Sequence, residues 1–574
     1  MADARFYRFG PFRFDAAGRI LFRDGKAVPL PPKAAETLLV LVEHPGRVVE
    51  KSELLKTVWE GAFIEEGSLT RSISVLRKAL GAGGPQYIAT ISKRGYRFVA
   101  PVESGGEEEP HSAIRKVMIA VLPFQNLNND KSQEYFSDGL TEEMITQLGR
   151  LNPERLGVIA RTSAMQYKST GKTIEQIGRE LRVAYVLEGS ARREKRRVRI
   201  TAQLIQVSDQ THLWADTYER DLKDILRLQS EVSQAIAEQI QVQLLPFEQK
   251  RLKTARQVNP TAFEAYLKGR YLWNRRSHDD LKMSLRCFHR AIKTDPGYAA
   301  AYAGLADTYL SLLDGGYLLP LAATAKAREA AFKALSIDKE LAEPHVSLGH
   351  ACLHDFNWSE AETEFRRGID LNPSYSVAHF YYSNYLVIQR RFGEAMAEAQ
   401  RARMLDPALT APVANLAAIL FLAGDYRGSI EQSQRVLAMD PNNARAYEDL
   451  GRAYEQLRDH TTAITAFRKA VAVSKRFPGY LASLSHGYAR AGQKAKARAL
   501  LAELKRKAQK EYVSPFALAL VYTGLDDFDQ AFLWLEKAFV ERSNAVPFVH
   551  VNPRLAALRS DSRFKALLER IGVS

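Results

Sequence analysis

Between Ser68 and Leu80 the chain places Leu69, Ile73, Leu76 and Leu80 at spacings of four, three and four, which defines one buried stripe of a helix. At about 100° per residue, Arg71, Ser74, Val75 and Lys78 project from the opposite side, with Thr70 and Arg77 flanking them. Three cations and two hydroxyls around one small apolar group are the side-chain types that contact phosphates and base edges in a major groove. Ser68 stands where an N-cap is expected. Beyond Gly81–Gly84, the stretch Tyr87–Val99 alternates as a hairpin with Ser92, Lys93, Arg94 and Gly95 at its tip. A basic hairpin tip is able to reach a phosphate or the minor groove. Arg71 or Lys78 taken alone is an ordinary charge on the outer face of an amphipathic helix. Weight comes from the order of elements: sheet, two helices, this third helix and the basic hairpin, all within about a hundred residues.

Other chemistry is poorly supported. Ser169-Thr170-Gly171-Lys172-Thr173 looks like the end of a phosphate-binding loop, but Gln166 stands where that loop needs its first glycine. The segment also lacks a preceding strand, so a polar turn is the better reading. There is no His-Glu-x-x-His, no Gly-x-Ser-x-Gly and no cysteine–histidine constellation, and the twelve histidines are scattered. Neither a catalytic residue nor a cofactor or metal site is expected. Cys287 and Cys352 are the only cysteines, so no disulfide framework holds the fold and a reducing compartment fits.

The elements that must position the third helix are legible upstream. Residues 5–30 alternate and turn often, with Phe6, Phe9, Phe12 and Phe14 around Gly10-Pro11, and Asp24-Gly25 as a hairpin signal before Ala27–Leu30. Pro31-Pro32 opens a helix through Ala34–Val42 that stops at His44-Pro45-Gly46. A second helix covers Lys51–Trp59. Residues 103–115, beginning Glu103-Ser-Gly-Gly-Glu-Glu-Glu-Pro110, contain no apolar stretch able to pack and read as a solvated linker.

Residues 5–102 resemble the OmpR/PhoB-type winged-helix domain. The likeness rests on Leu30-Pro-Pro-Lys33, Pro45-Gly-Arg-Val-Val49, Leu54 with Val58-Trp59, Leu76-Arg-Lys-Ala-Leu80 and Gly95-Tyr-Arg-Phe98. It implies that the third helix lies in the major groove of double-stranded DNA and that the wing touches the flanking minor groove. Carried over by position, Thr70, Arg71, Ser74, Val75, Arg77 and Lys78 face DNA, with Lys93 and Arg94 in the wing. No phosphoacceptor domain precedes the winged helix, so control by aspartyl phosphorylation is not expected.

From Lys116 to about Leu245, strands and helices alternate: strands at Val117–Phe124, Leu156–Ala160, Ala184–Arg192, Val198–Val207 and Leu213–Tyr218, helices at Gln133–Leu148 and Thr173–Leu181. This α/β unit resembles the TolB-N-like (FlgO-like) domain through Ile119-Ala-Val-Leu-Pro-Phe124, Phe136-Ser-Asp-Gly-Leu140, Tyr185-Val-Leu-Glu-Gly189 and Leu213-Trp-Ala215. That likeness implies a fold more than an activity. The basic run Arg192–Arg199 falls at an expected hairpin tip and reads as a solvated turn.

From Pro260 onward the pattern is helical and periodic. Pro373, Pro407 and Pro441 are 34 residues apart, each after Asn or Asp, which is the tetratricopeptide period. In that register Ala361, Ala395, Ala463, Ala497 and Ala531 share the small-residue position, with Phe365 and Phe467 four residues on. Repeats then start near residues 265, 299, 342, 376, 410, 444, 478 and 512. The second carries an extra loop around Asp314–Pro320, and Pro553–Ile571 reads as a capping helix. Stacked repeats form a superhelix with a concave surface that binds protein, and His350, Asn384, Glu448, Arg452 and Glu455 are candidates to face it.

The expected architecture is thus multidomain: an α+β winged helix over 1–102, a small α/β domain over 116–245 and an all-α tetratricopeptide superhelix over 260–574. The net charge of +15 suits a polyanionic partner. The longest apolar runs, Val117–Phe124 and Leu416–Ala423, are too short to span a bilayer, so no membrane contact and a cytoplasmic location are expected. The domain order resembles ToxR/CadC-like and HilA-like activators. It implies a one-component transcriptional regulator that binds DNA at the front. Its repeats would take a protein partner, with the transcription machinery or a second copy as candidates. The competing reading is an interaction scaffold whose winged helix serves protein contacts.

Overall fold

The computed structural model describes residues 6–15, 20–23, 26–28, 30–58, 66–80, 87–92, 94–105, 116–128, 130–151, 155–240, 242, 249, 252 and 257–573. The chain divides into two compact units, Met1–Lys116 and Val117–Ser574.

In the first unit β1 (Phe6–Phe9), β2 (Phe12–Asp15), β3 (Ile20–Arg23) and β4 (Lys26–Val28) form an antiparallel meander. Helices α1 (Pro32–Glu43), α2 (Lys51–Val58) and α3 (Glu66–Ala79) follow, with β5 (Val48–Glu50) between the first two. A second sheet has the order β5-β7-β6, where β6 is Ile88–Ile91 and β7 is Gly95–Phe98. Apolar residues from every layer close one core, including Phe9, Phe14, Leu38, Leu41, Leu54, Ile73, Leu76 and Phe98. The expected Asp24-Gly25 turn and Trp59 lie outside the described residues. The expected linker begins later than its composition suggests: Glu103–Gly105 forms β8, antiparallel to β1. An edge strand needs only backbone N–H and C=O groups, so a run without apolar side chains still pairs.

The second unit opens with an α/β sheet of order β11-β9-β12-β13-β14, with β10 (Gln125–Asn126) also on β12. Its strands are β9 (Val117–Val121), β11 (Leu156–Val158), β12 (Tyr185–Glu194), β13 (Arg197–Gln206) and β14 (His212–Asp221). Strands β9, β11 and β12 pair in parallel, and β12 to β14 antiparallel. Helices α4 (Glu134–Gly149), α5 (Arg161–Met165), α6 (Ile174–Leu181) and α7 (Ile225–Gln239) cover it.

Sixteen helices α8–α23 then run as eight antiparallel pairs from Pro260 to Val540, and α24 (Ser562–Ile571) ends the array. The first helices of the pairs start at residues 260, 299, 342, 376, 410, 444, 478 and 515, so the 34-residue register holds through the middle of the array. The signature residues have a packing reason. Ala361, Ala395, Ala463, Ala497 and Ala531 are fully buried, where paired helices approach. A Cβ on Gly451 would stand 2.6 Å from the Phe467 ring, so the Leu-Gly position is small because the partner helix inserts an aromatic there. The expected single capping helix is two pieces, a 3₁₀ segment Pro553–Leu558 and then α24.

The α/β sheet is joined to the repeats by polar contacts at long sequence separation. Arg270, on α8 (Pro260–Arg275), reaches Glu142 of α4 at 2.5 Å and Asp307 at 3.0 Å. Asn274 also donates to Glu142, at 2.8 Å, and Ser347 to Asp307, at 2.8 Å. Arg150 grips Glu343 at 2.9 Å, and Arg193 pairs with Glu264. Farther along, Ser163 Oγ donates to Asp406 at 2.5 Å and accepts from the Ala408 N–H. The Ala160 N–H donates to the Leu405 carbonyl at 2.7 Å. Sheet and array are therefore one body.

Burial makes this junction sensitive to pH. Glu143 accepts a hydrogen bond from Tyr266 at 2.7 Å, yet burial pushes its carboxyl up to about 7. Burial likewise raises Asp406 to about 6, against the hydrogen bond from Ser163. A carboxyl raised in the folded state adds stability that is present below its unfolded value near 4.5 and is lost as pH rises to about 7. Glu143→Gln removes that dependence. The variant should gain on the order of 2–3 kcal/mol relative to wild type between pH 5 and pH 8, read by denaturant unfolding. Parallel pH profiles would remove Glu143 from this role.

Candidate nucleic-acid interface

Helix α3 starts at Glu66, two residues before the expected Ser68 cap. Its inner stripe is buried as the spacing requires: Leu69, Ile73, Leu76 and Leu80 are each 2% exposed or less. On the other side Thr70, Arg71, Ser74 and Lys78 are exposed. Among the described residues, neither Arg71 nor Lys78 has a salt-bridge partner, so both guanidinium and ammonium face solvent. Val75 is half-buried and leans on the domain core, leaving part of its side chain on the exposed face.

Arg77 is engaged differently from the expected DNA contact. Its guanidinium donates to the Ile88 carbonyl at 2.9 Å and to Thr90 Oγ1 at 2.8 Å. Both acceptors lie on β6, so Arg77 ties the recognition-like helix to the base of the hairpin. The helix turn places residue 77 toward the sheet, a direction that helical periodicity measured against one buried stripe does not resolve. Replacing Arg77 with Ala should cost about 1–2 kcal/mol and speed amide exchange across Ile88–Ile91. Unchanged exchange there would refute the tie.

The hairpin itself is held by backbone geometry. The Arg94 N–H donates to the Ile91 carbonyl at 3.0 Å and the Lys51 N–H to the Arg94 carbonyl at 3.2 Å. A Cβ on Gly95 would meet the Val49 carbonyl at 2.0 Å, so β5 and β7 pair this closely only with glycine there. Arg94 is exposed at the tip; Lys93 lies outside the described residues. The helices are locked together by the Leu30-Pro-Pro-Lys33 segment. Lys33 Nζ donates to the Val58 carbonyl at the end of α2, at 2.6 Å, satisfying a terminal carbonyl that the helix leaves open. Sequence reasoning valued Lys33 as a motif member and missed this bond.

The other sites weighed from sequence have local explanations. Thr173 caps α6 in a reciprocal capping box with Gln176, and Lys172 pairs with Glu180 at 2.7 Å. That segment is a helix start, without a phosphate cradle. The basic run at the β12–β13 tip is partly neutralised by Arg192–Glu194 and Arg197–Glu219 pairs. Among the described residues no helix is long and apolar enough to cross a membrane.

The candidate groove residues of the repeats are largely taken up by the chain itself. His350 is buried and stacks on Tyr381 at 4.0 Å. Glu455 holds His486 at 3.0 Å and Arg554 at 3.4 Å, and Glu448 accepts from Ser483 at 2.6 Å. Arg452 donates to Asp449 at 3.0 Å, and Asn384 is half-buried. The segment after α23 (Phe528–Val540) crosses these helices, with His550 on the Ile388 carbonyl at 2.8 Å. Trp358 Nε1 then donates to the Ile571 carbonyl at 3.0 Å, so the end of the array touches its third repeat. The expected concave protein-binding groove is thus occupied over these residues, because the superhelix turns back on itself.

Three family models match the chain: the C-terminal domain of transcriptional regulatory proteins over residues 25–98, the second domain of HilA/YgeH-like transcriptional regulators over 115–235, and tetratricopeptide repeats over 416–480. A putative adenylate cyclase 3 of Rhizobium meliloti is 40% identical over 198 residues, which is 34% of this chain and 33% of that one. The chain thus spans about a third of that relative's length. Transcriptional regulator HilA of Salmonella typhimurium is 26% identical over 403 residues, 70% of each chain. Transcriptional activator CadC of Escherichia coli is 38% identical over 90 residues, 15% of this chain and 18% of CadC. A solved CadC DNA-binding domain, 32% identical, covers 17% of this chain and 96% of its own, with a TM-score of 0.17. The protein carries a transcriptional-regulator winged helix of the OmpR/PhoB type, then a HilA-like second domain, then tetratricopeptide repeats.

Proposed function

We propose that the protein is a one-component, sequence-specific DNA-binding transcriptional regulator whose second unit receives the controlling partner. The observation that carries this reading is the outer face of α3. It presents Arg71, Lys78, Ser74 and Thr70 to solvent above a fully buried stripe. In this reading α3 enters the major groove, where Arg71 and Lys78 meet guanine edges or phosphates and the hydroxyls of Thr70 and Ser74 add hydrogen bonds. Val75 supplies an apolar contact to a thymine methyl, and Arg94 with Lys93 holds the flanking backbone. Arg77 positions the wing and so acts on DNA through it. The face is polar and cationic, whereas the centre of a protein-binding surface is depleted in lysine and enriched in aromatic residues, which disfavours the scaffold alternative.

Because α/β sheet and repeats form one body, a protein partner meets the outer surfaces of the array more readily than its filled interior. No step of this proposal calls for catalysis or a cofactor. The test is selection of duplexes from fragmented genomic DNA by the purified full-length protein. Enrichment of a shared short motif supports the reading. Retention of DNA without any motif, or no retention at low salt, overturns it.

A further inference from the structure

The positive surplus of the chain is concentrated in one place far from the winged helix in sequence. Residues 458–510 contain thirteen Lys and Arg against two carboxylates, Asp459 and Glu503, a surplus of eleven where the whole chain has fifteen. This stretch is the sixth and seventh helical pairs, including α19 (His460–Val473), α20 (Pro478–Arg490) and α21 (Lys494–Lys507).

Earlier repeats treat their cations differently. The second helix of the third repeat pairs Arg366 with Glu362, the fourth pairs Arg391 with Glu394, and the fifth pairs Arg435 with Glu431. Helix α19 has no carboxylate at all, and α21 only Glu503, which is engaged by Arg476 at 2.6 Å. Arg468, Lys475, Arg498, Arg506 and Lys510 are all exposed, and among the described residues none forms a salt bridge. Such crowding of one sign repels itself and opposes compactness. A polyanion relieves it.

The side chains between these cations indicate which polyanion. Along α19 and α21 the exposed residues among them are Thr461, Thr465, Ala472, Ala495, Ala499 and Ala502, so these two helices present small residues and no exposed aromatic. The exposed aromatic of the stretch, Phe477, stands in the turn that caps α20. Protein interfaces draw their energy from buried aromatic and arginine anchors. A nucleic-acid backbone needs only cations that can approach closely.

We propose that this face of the sixth and seventh repeats is a second, sequence-independent contact with the phosphate backbone of double-stranded DNA. It rests on the reading of the protein as a DNA-binding regulator and adds to it a non-specific component. The winged helix supplies discrimination and the repeat face supplies salt-dependent affinity.

The test uses the full chain, a duplex carrying the selected motif and a scrambled duplex, titrated over a salt series. The neutralising variant Arg468→Gln/Lys475→Gln/Arg498→Gln/Arg506→Gln changes only exposed positions, and circular dichroism checks that it folds. Each lost phosphate contact lowers the salt slope by about 0.9. The variant should therefore bind the scrambled duplex on the order of tenfold or more weakly, with a slope shallower by about 3.6 for four lost contacts, while the preference for the motif survives. The winged-helix variant Arg71→Ala/Lys78→Ala should show the reverse, losing the preference and keeping most of the slope. An unchanged slope in the folded neutralising variant overturns the second contact even when motif recognition stands. Loss of binding to polyglutamate with an unchanged DNA slope would also overturn it, reassigning the face to an acidic protein. Motif preference that survives Arg71→Ala/Lys78→Ala would overturn the winged-helix reading instead.

Discussion

Arg71→Ala/Lys78→Ala should abolish recognition of the selected motif while leaving the fold intact. Each well-placed contact to a base edge contributes about 1–3 kcal/mol of discrimination. Loss of both predicts a fall of roughly a hundredfold or more in affinity for the motif, measured by anisotropy at fixed salt. The structure makes this a clean experiment, because both side chains are exposed and neither has a salt-bridge partner among the described residues. Unfolding free energy should move by less than about 0.5 kcal/mol. A double variant that still prefers the motif by the wild-type ratio would place recognition elsewhere.

The largest stability effect is expected at Arg270, far from that interface in sequence. Its guanidinium neutralises two carboxylates, Glu142 and Asp307, and all three side chains are 12% exposed or less. Burial works against charge on Glu142, yet Arg270 and then Arg161 outweigh it and hold the carboxyl below its usual range. Arg270→Ala leaves Asp307 buried without its cation and Glu142 with Arg161 alone, at 3.2 Å, which costs about 3–5 kcal/mol. Exposed Arg435, paired with Glu431, is the control, since such pairs contribute about 0–1 kcal/mol. Hydrogen exchange should show the loss centred on α4 and α8, where the α/β sheet meets the first repeat. Equal effects of Arg270→Ala and Arg435→Ala would show that this network does not join the two.

Local patterns in the sequence account for the elements with short-range causes. The stripe Leu69, Ile73, Leu76, Leu80 is one side of a helix wherever that helix sits, and the 34-residue recurrence of proline and alanine sets the starts of the helical pairs from 299 to 478. The first and last pairs start at 260 and 515 against the expected 265 and 512. Helix α7 carried the same kind of signal in Ile225, Leu228, Val232 and Ile236, all buried, but was not read from it. Failures had a different cause. Arg77 shares its helix with Arg71 and Lys78, and only the position of β6 diverts it to the Ile88 carbonyl. Glu103–Gly105 pairs with β1 through backbone groups that carry no sequence signature.

The repeats show the division most clearly. Their number, phase and packing residues follow from sequence alone, because each depends on contacts inside one helical pair or with its neighbour. Whether the groove is open depends on contacts across a hundred residues or more: Arg270 with Glu142, Ser163 with Asp406, His550 with Ile388 and Trp358 with Ile571. Those partners are ordinary polar residues in their local context, with nothing in periodicity or spacing to link them. Sequence determined that this protein has a helix with one buried stripe and one cationic face, and a stack of repeats. Only the tertiary structure decided that the stack fills its own interior, because burial and charge pairing at that range are properties of the closed chain.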